Sequence, residues 1–151
     1  IDARARTSRP RRVLDLGCGS GVLAIAAARV WPAAHITGSD IDPTSITVAR
    51  ANAALNGVAR RIAFRTRAGL EASGRTGAGG YDLIVSNILA GPLMALAHGI
   101  ARTTRPGGRA ILSGLLARET SAVTARYVST GFALRRRREI AGWAILELER
   151  R

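Results

Sequence analysis

"RRVLDLGCGSGVLAIAAARVW", residues 11–31, passes from charge through a short apolar strand into Gly17-Cys18-Gly19-Ser20-Gly21, then into an alanine-rich helix. The five residues of the turn carry almost no side chain. A strand, a bare glycine turn and a helix form the device by which a backbone comes close to a nucleotide-like ligand. Several ligands use that device, and the turn by itself does not choose among them.

Outward from this turn, short β-rich runs alternate with helical ones, the pattern of a parallel sheet covered on both faces. "RVLDLG" (12–17) reads as the first strand and residues 20–30 as the first helix. "HITGSDI" (35–41) follows as the second strand, and Asp42 with Pro43 supplies an N-cap and a first-turn proline for a helix that ends at Asn56 before Gly57. "RIAFRTR" (61–67) alternates like an edge strand, residues 69–80 are too glycine-rich for a sure helix and read as a flexible connection, and "YDLIVSNI" (81–88) is a buried mid-sheet run. Leu93, Leu96, Ala97 and Ile100 share one helical face, with Pro92 as the starting signal. "RPGG" (105–108) turns the chain into a strand at 109–116, and a helix over about 117–130 stops at Gly131. "FALRRRREI" and "GWAILELER", joined at Ala141-Gly142, close the chain as an antiparallel pair. The expectation is an α/β fold of seven strands, five parallel plus a C-terminal antiparallel hairpin, with helices on both faces. Residues 1–11 read as a basic tail or linker remnant, and 12–151 as one domain.

Composition narrows the function. The formal charge is +13, but all 23 basic residues are arginines, Lys and Gln are absent, and Ala and Gly are abundant. Arginines are dispersed apart from Arg135 to Arg138, and aromatics for base stacking are few, which disfavours direct nucleic-acid binding. No apolar run is long enough for a membrane span and none resembles a secretory signal, so the expectation is a cytoplasmic protein away from membranes. A single cysteine, Cys18, and two distant histidines, His35 and His98, offer no metal-ligand spacing.

Ligands of an open α/β sheet sit at the carboxyl ends of its strands. Gly17, Gly19 and Gly21 are spaced G-x-G-x-G, and Val22 follows, so the G-x-G-x-x-G of a nicotinamide or flavin site is not met. No basic side chain in the turn meets a pyrophosphate, and a Walker loop needs a Lys that the chain lacks. Asp40 closes the second strand, 19 residues after Gly21, where a carboxylate accepts hydrogen bonds from both hydroxyls of a ribose; Asp42 is better placed to cap the helix and leaves Asp40 free. Asp15 lies inside an apolar strand, where a charge needs backbone amides or a ligand amino group to satisfy it. Three of only ten acidic residues thus gather at one edge. That favours a ligand with hydroxyls and positive charge, and S-adenosylmethionine has both.

"VLDLGCGSG" with "DIDP" resembles the first two cofactor motifs of class I S-adenosylmethionine methyltransferases, whose fold is a seven-stranded Rossmann-like sheet. "SNILAGPL" (86–93), "LSGLL" (112–116), "ARANAALNGV" (49–58) and a late "GF…GWA" resemble, more narrowly, the PrmA family, which methylates amino groups of protein eleven of the large ribosomal subunit. The resemblance implies that Asp15, Gly17, Cys18, Gly19 and Gly21 bound the cofactor, that Asp40 holds its ribose, and that Ile41 packs on the adenine. It also implies that Asn87 lies beside the methyl and aims the acceptor amine for in-line displacement. The implied partner is a protein substrate; the same cofactor site would serve another protein, a small amine, or a domain without turnover.

Two departures qualify the likeness. Residues 67–70, "RAGL", carry no acid for the adenine amino group, which leaves that contact to backbone atoms. The family places a substrate-binding domain before the first strand, where this chain has eleven residues, mostly polar or basic; the expectation is weak cofactor binding and slow methylation by the chain alone. Cys18 fits the turn by its small size, Trp31 and Trp143 read as packing residues, and His35 and His98 have no evident catalytic partner.

Overall fold

The computed structural model describes residues 9–67, 70 and 80–151. In chain order these form β1 (Arg12–Leu16), α1 (Val22–Val30), β2 (His35–Asp40), α2 (Pro43–Leu55), β3 (Ile62–Thr66), β4 (Tyr81–Asn87), α3 (Ala90–Thr103), β5 (Thr104–Leu116), α4 (Thr120–Ser129), β6 (Phe132–Ile140) and β7 (Trp143–Arg150). The strands make one seven-stranded sheet in the order β3-β2-β1-β4-β5-β7-β6. β3 to β5 run parallel, and β7 pairs antiparallel with both β5 and β6. The expected five-plus-two architecture is what the chain adopts. Strand order reverses between β1 and β4, which makes their carboxyl ends the natural ligand crevice.

Side-chain alternation along each strand assigns the two faces. Val13, Ile36, Leu83 and Val85 pack under α1 and α2, whose small residues Ala24, Ala27, Ala28, Ala49 and Ala53 let the helices lie close to the sheet. Leu14, Leu16, Ile84, Leu112 and Leu146 pack on the other face with Leu93, Ala97 and Ile100 of α3 and Val123 and Tyr127 of α4. Each such buried Leu, Ile or Val contributes about 1.5–3 kcal/mol relative to exposure, so both layers are held mainly by apolar burial. Within the second layer Tyr127 ties α4 to α3, its hydroxyl donating to Leu93 O at 3.0 Å.

Local signals act where they were expected, with three differences. Asp42 caps α2, its carboxylate accepting from Thr44 N at 2.9 Å and Ser45 N at 3.1 Å. Ala141 and Gly142 take φ of 50° and 80°, which suits the twist of a two-residue hairpin. However, α3 starts at Ala90 rather than Pro92, which falls within its first turn, where a missing N–H leaves no intrahelical bond unmade. "RPGG" lies inside the bounds of β5 as an irregularity, with pairing to β4 shifting between Tyr81 and Leu83. Residues 117–119 form a separate tight turn before α4.

At the start of the chain, residues 1–8 lie outside the described residues, but the fold reaches back past Arg12. Pro10 is buried, Arg11 O accepts from His35 N, and the amides of Arg11 and Arg12 both donate to Asp82 at 2.7 Å. Against burial, which would raise it, the amides of Arg12 and Arg11 and then the paired Arg105 hold the Asp82 carboxyl below its ordinary pKa. Of the expected connection at 69–80 only residues 70 and 80 are described, and Ala68 and Gly69 of the β3 exit also fall outside.

Candidate functional site

The crevice is assembled by the glycine turn after β1, and two hydrogen bonds fold that turn onto β2. Gly17 N and Cys18 N both donate to Ser39 O, at 2.8 and 3.0 Å. Gly17 has φ 69°, and a Cβ there would stand 2.6 Å from Ile88 Cγ2; Gly21 has φ 82° and serves as the N-cap of α1 with no side chain to offer. The left-handed backbone and the close approach together restrict Gly17 to glycine.

Because Gly21 cannot cap, Asp15 does so from the strand: its Oδ2 accepts from Ala24 N at 2.8 Å. The residue is 1% exposed, and its other oxygen, Oδ1, is buried without a hydrogen-bond partner. Burial pushes its pKa from 3.8 up to about 7, against the Ala24 amide and with help from the charge on Asp40. A carboxylate in this state is a standing demand for a positive or donating group nearby.

Asp40 is more engaged than the sequence suggests. Its Oδ2 accepts from Gly19 N at 2.8 Å and its Oδ1 from Asp42 N at 3.1 Å, so the expectation of a free Asp40 is corrected: it stitches the turn to the β2 exit. An ionised carboxylate has about four lone-pair sites, which leaves capacity for two hydroxyls besides these two amides. Gly19 faces open space, with nothing within 4 Å of the position a Cβ would take. Ile41, next in line, is 72% exposed beside it.

Cys18 contributes backbone only. Its side chain is buried in the α1 and α2 layer, and burial with the Asp15 and Asp40 charges raises its thiol pKa to about 12, which leaves it protonated and inert.

Across the crevice, β4 ends at Asn87, whose side chain is exposed, while the preceding Ser86 is fully buried and donates to Leu16 O at 2.8 Å. That bond ties the two central strands together directly below the site. Asn87 is the register partner of Ser113, and the next residue on β5, Gly114, has φ 78°. A Cβ on Gly114 would lie 2.7 Å from Asn87 Oδ1 and 2.9 Å from Ile88 O. Ser86, Ile88 and Gly114 were not singled out as site residues from the sequence, although a glycine inside the buried run "LSGLL" is a recognisable sign of a bulge or close backbone approach. Thus Asp15, the glycines, Asp40, Ile41 and Asn87 all gather at the carboxyl ends of β1, β2 and β4. A separate cavity of about 230 Å³ lies on the α1 face between Trp31 and Ile145 and touches this region only through Ser113. Among the described residues no cluster of side chains has the makings of a metal site.

Comparison with known proteins agrees with this geometry. The family described as ribosomal protein L11 methyltransferase (PrmA) matches residues 1–151. The chain is 45% identical over 150 residues to the ribosomal protein L11 methyltransferase of Bradyrhizobium diazoefficiens, covering 99% of this chain and 50% of that protein. It is 43% identical over 149 residues to its namesake in Brucella suis, covering 99% of this chain and 52% of that one. The chain therefore spans about half the length of the curated relatives it matches. Among solved structures, a ribosomal protein L11 methylase from Lactobacillus delbrueckii subsp. bulgaricus superposes with a TM-score of 0.86 at 31% identity, over 98% of this chain and 73% of that one. TrmN from Thermus thermophilus gives a TM-score of 0.78 at 29% identity, over 98% of this chain and 46% of that one. By sequence along its whole length and by fold, this chain belongs to the ribosomal protein L11 methyltransferase (PrmA) family.

Proposed function

We propose that this domain transfers methyl groups from S-adenosylmethionine to amino groups of a protein, with ribosomal protein L11 as the acceptor. The observation that carries the reading is the buried Asp15 carboxylate with its unpartnered Oδ1, on β1 two residues before Gly17 and close enough to Asp40 for their charges to interact. A pyrophosphate would meet that negative charge with no basic side chain in the turn; a ligand bearing an ammonium and a sulfonium would relieve it. The residues therefore fit S-adenosylmethionine better than a dinucleotide.

When bound, that cofactor supplies an electrophilic methyl on a sulfonium, already a good leaving group. The protein's part is to bind and to aim. Asp40 has room for the ribose hydroxyls, Gly19 leaves space for the ligand, and Ile41 offers an apolar surface for the adenine. Asn87 accepts hydrogen bonds from the neutral acceptor amine and orients its lone pair; after attack the surplus proton leaves to solvent at this exposed edge. No general base is required of Asn87, whose amide does not ionise near neutrality. Methylation of a ribosomal protein would place the work in the cytoplasm; no helix among the described residues is long and apolar enough to cross a membrane.

The test uses Asn87→Ala in the full-length protein with purified L11 and cofactor labelled on the methyl group. Turnover should fall about a hundredfold, the usual effect of removing one aligned transition-state contact, with binding of S-adenosylhomocysteine unchanged. Undiminished transfer would remove Asn87 from the mechanism. Tight S-adenosylhomocysteine binding without label on L11 would keep the cofactor and reassign the acceptor.

A further inference from the structure

Resting on that reading, we propose that the segment Asn87–Ile88 is clamped between two glycines, Gly17 of the turn and Gly114 of β5, and that Gly114 is a positioning residue setting the orientation of the Asn87 amide. On one side, Ile88 Cγ2 occupies the space a Cβ on Gly17 would need, 2.6 Å from it. On the other, a Cβ on Gly114 would meet Asn87 Oδ1 at 2.7 Å, Ile88 O at 2.9 Å and Ile88 N at 3.1 Å. Real Cβ atoms essentially never come within 3.0 Å of such neighbours, as one here would with Asn87 Oδ1 and Ile88 O, so the amide and the following peptide sit where only a glycine lets them.

The backbone of β5 is shaped for this contact. Gly114 takes φ 78°, and the pairing of β5 with β7 shifts between Leu112 and Leu115, so the glycine lies in an interruption of the ladder beside Asn87 rather than in a regular strand. An irregularity at a strand end re-aims neighbouring groups. Here it brings β5 against the 87–88 peptide, while Ile88 carries the same peptide onto the cofactor turn. One residue thereby fixes the distance between the cofactor pocket and the acceptor's hydrogen-bond partner.

The test compares Gly114→Ala with Gly57→Ala. Gly57 has φ 70° and nothing within 4 Å of a Cβ, so it carries the backbone strain without the contact. In the full-length protein, Gly114→Ala should lower kcat on L11 about a hundredfold, as a misplacement near 1 Å does, with the Kd for S-adenosylhomocysteine and the KM for L11 within threefold of wild type. Gly57→Ala should leave kcat unchanged. Wild-type kcat in Gly114→Ala would overturn the proposal. A second readout needs neither turnover nor cofactor: in isotope-labelled protein the side-chain amide resonance of Asn87 should move in Gly114→Ala and stay in Gly57→Ala. If Gly114→Ala does not fold, Ile88→Ala, which asks for no left-handed backbone, should shift the Asn87 side-chain resonance together with the amides of Gly17 to Gly19. An unmoved Asn87 resonance in the folded variant would overturn the clamp. Absence of S-adenosylhomocysteine binding by the wild type would instead count against the proposed function and leave the resonance test of the clamp standing.

Discussion

Replacing Asp15 with Asn removes a charge that this fold buries, and the size of the effect follows from the structure. The side chain is 1% exposed, and its pKa rises from 3.8 to about 7, chiefly through burial. Because the folded value lies above the unfolded one, the folded protein binds more protons between the two. The stability this group lends is complete below pH 3.8 and is lost as pH rises to about 7. At ~1.36 kcal/mol per pH unit, the whole loss is about 4 kcal/mol, and the part between pH 5 and pH 7 is about 3 kcal/mol. Asn keeps an oxygen for Ala24 N and does not titrate. The stability of Asp15→Asn relative to wild type should therefore grow by about 3 kcal/mol between pH 5 and pH 8, equivalent to roughly 6–12 °C in Tm for a domain of this size. Asp42, Asp82 and Glu149 have lowered pKa values and act with the opposite sign at acid pH, but they are common to both proteins and cancel in the difference. Urea unfolding of both proteins at a series of pH values measures it. A difference that stays flat from pH 5 to pH 8 would refute the burial of an unsatisfied carboxylate. A ligand cation near Asp15 lowers its pKa again, so saturating S-adenosylhomocysteine should also flatten the wild-type pH dependence.

Asp40→Ala should weaken S-adenosylhomocysteine binding about a hundredfold, since two hydrogen bonds from hydroxyls to a charged acceptor contribute about 3 kcal/mol together. Titration calorimetry checks this, and affinity within threefold of wild type would take the ribose away from Asp40. Gly38→Ala tests the packing behind the turn: a Cβ there would stand 2.6 Å from Cδ1 of the buried Phe64 ring, its register partner on β3. With no left-handed φ to confuse the result, overpacking should destabilise the protein by about 1–3 kcal/mol, and an unchanged urea midpoint would contradict the close approach.

What could be read from the sequence was what short-range chemistry decides. Asp42-Pro43 announces a helix because a carboxylate meets the free amides of the first turn, and Ala141-Gly142 announces a hairpin because both residues take positive φ. The position of β7 between β5 and β6 is different. It depends on Ala144, Leu146 and Leu148 finding the layer of α3 and α4, a tertiary choice that no local pattern states. At the site, Asp15 and the glycines were legible as a buried acid next to a bare turn. The double engagement of Asp40 was not, because Gly19 lies 21 positions away and meets it only when β1 and β2 align. Ile88 was hidden for the same reason, and Gly114 in part: a glycine in a buried run signals a bulge or close approach, but that it meets Asn87 and Ile88 is decided only when two strand ends come together.

The central claim is that the turn after β1 receives an adenosyl sulfonium held at its sugar by Asp40. A crystal structure of the full-length protein with S-adenosylhomocysteine tests it most directly. The account predicts density for the nucleoside across the Gly17–Gly21 turn, with both ribose hydroxyls in hydrogen-bond contact with Asp40 and the sulfur turned toward Asn87. A nucleoside bound elsewhere, or a sugar out of reach of Asp40, would contradict it.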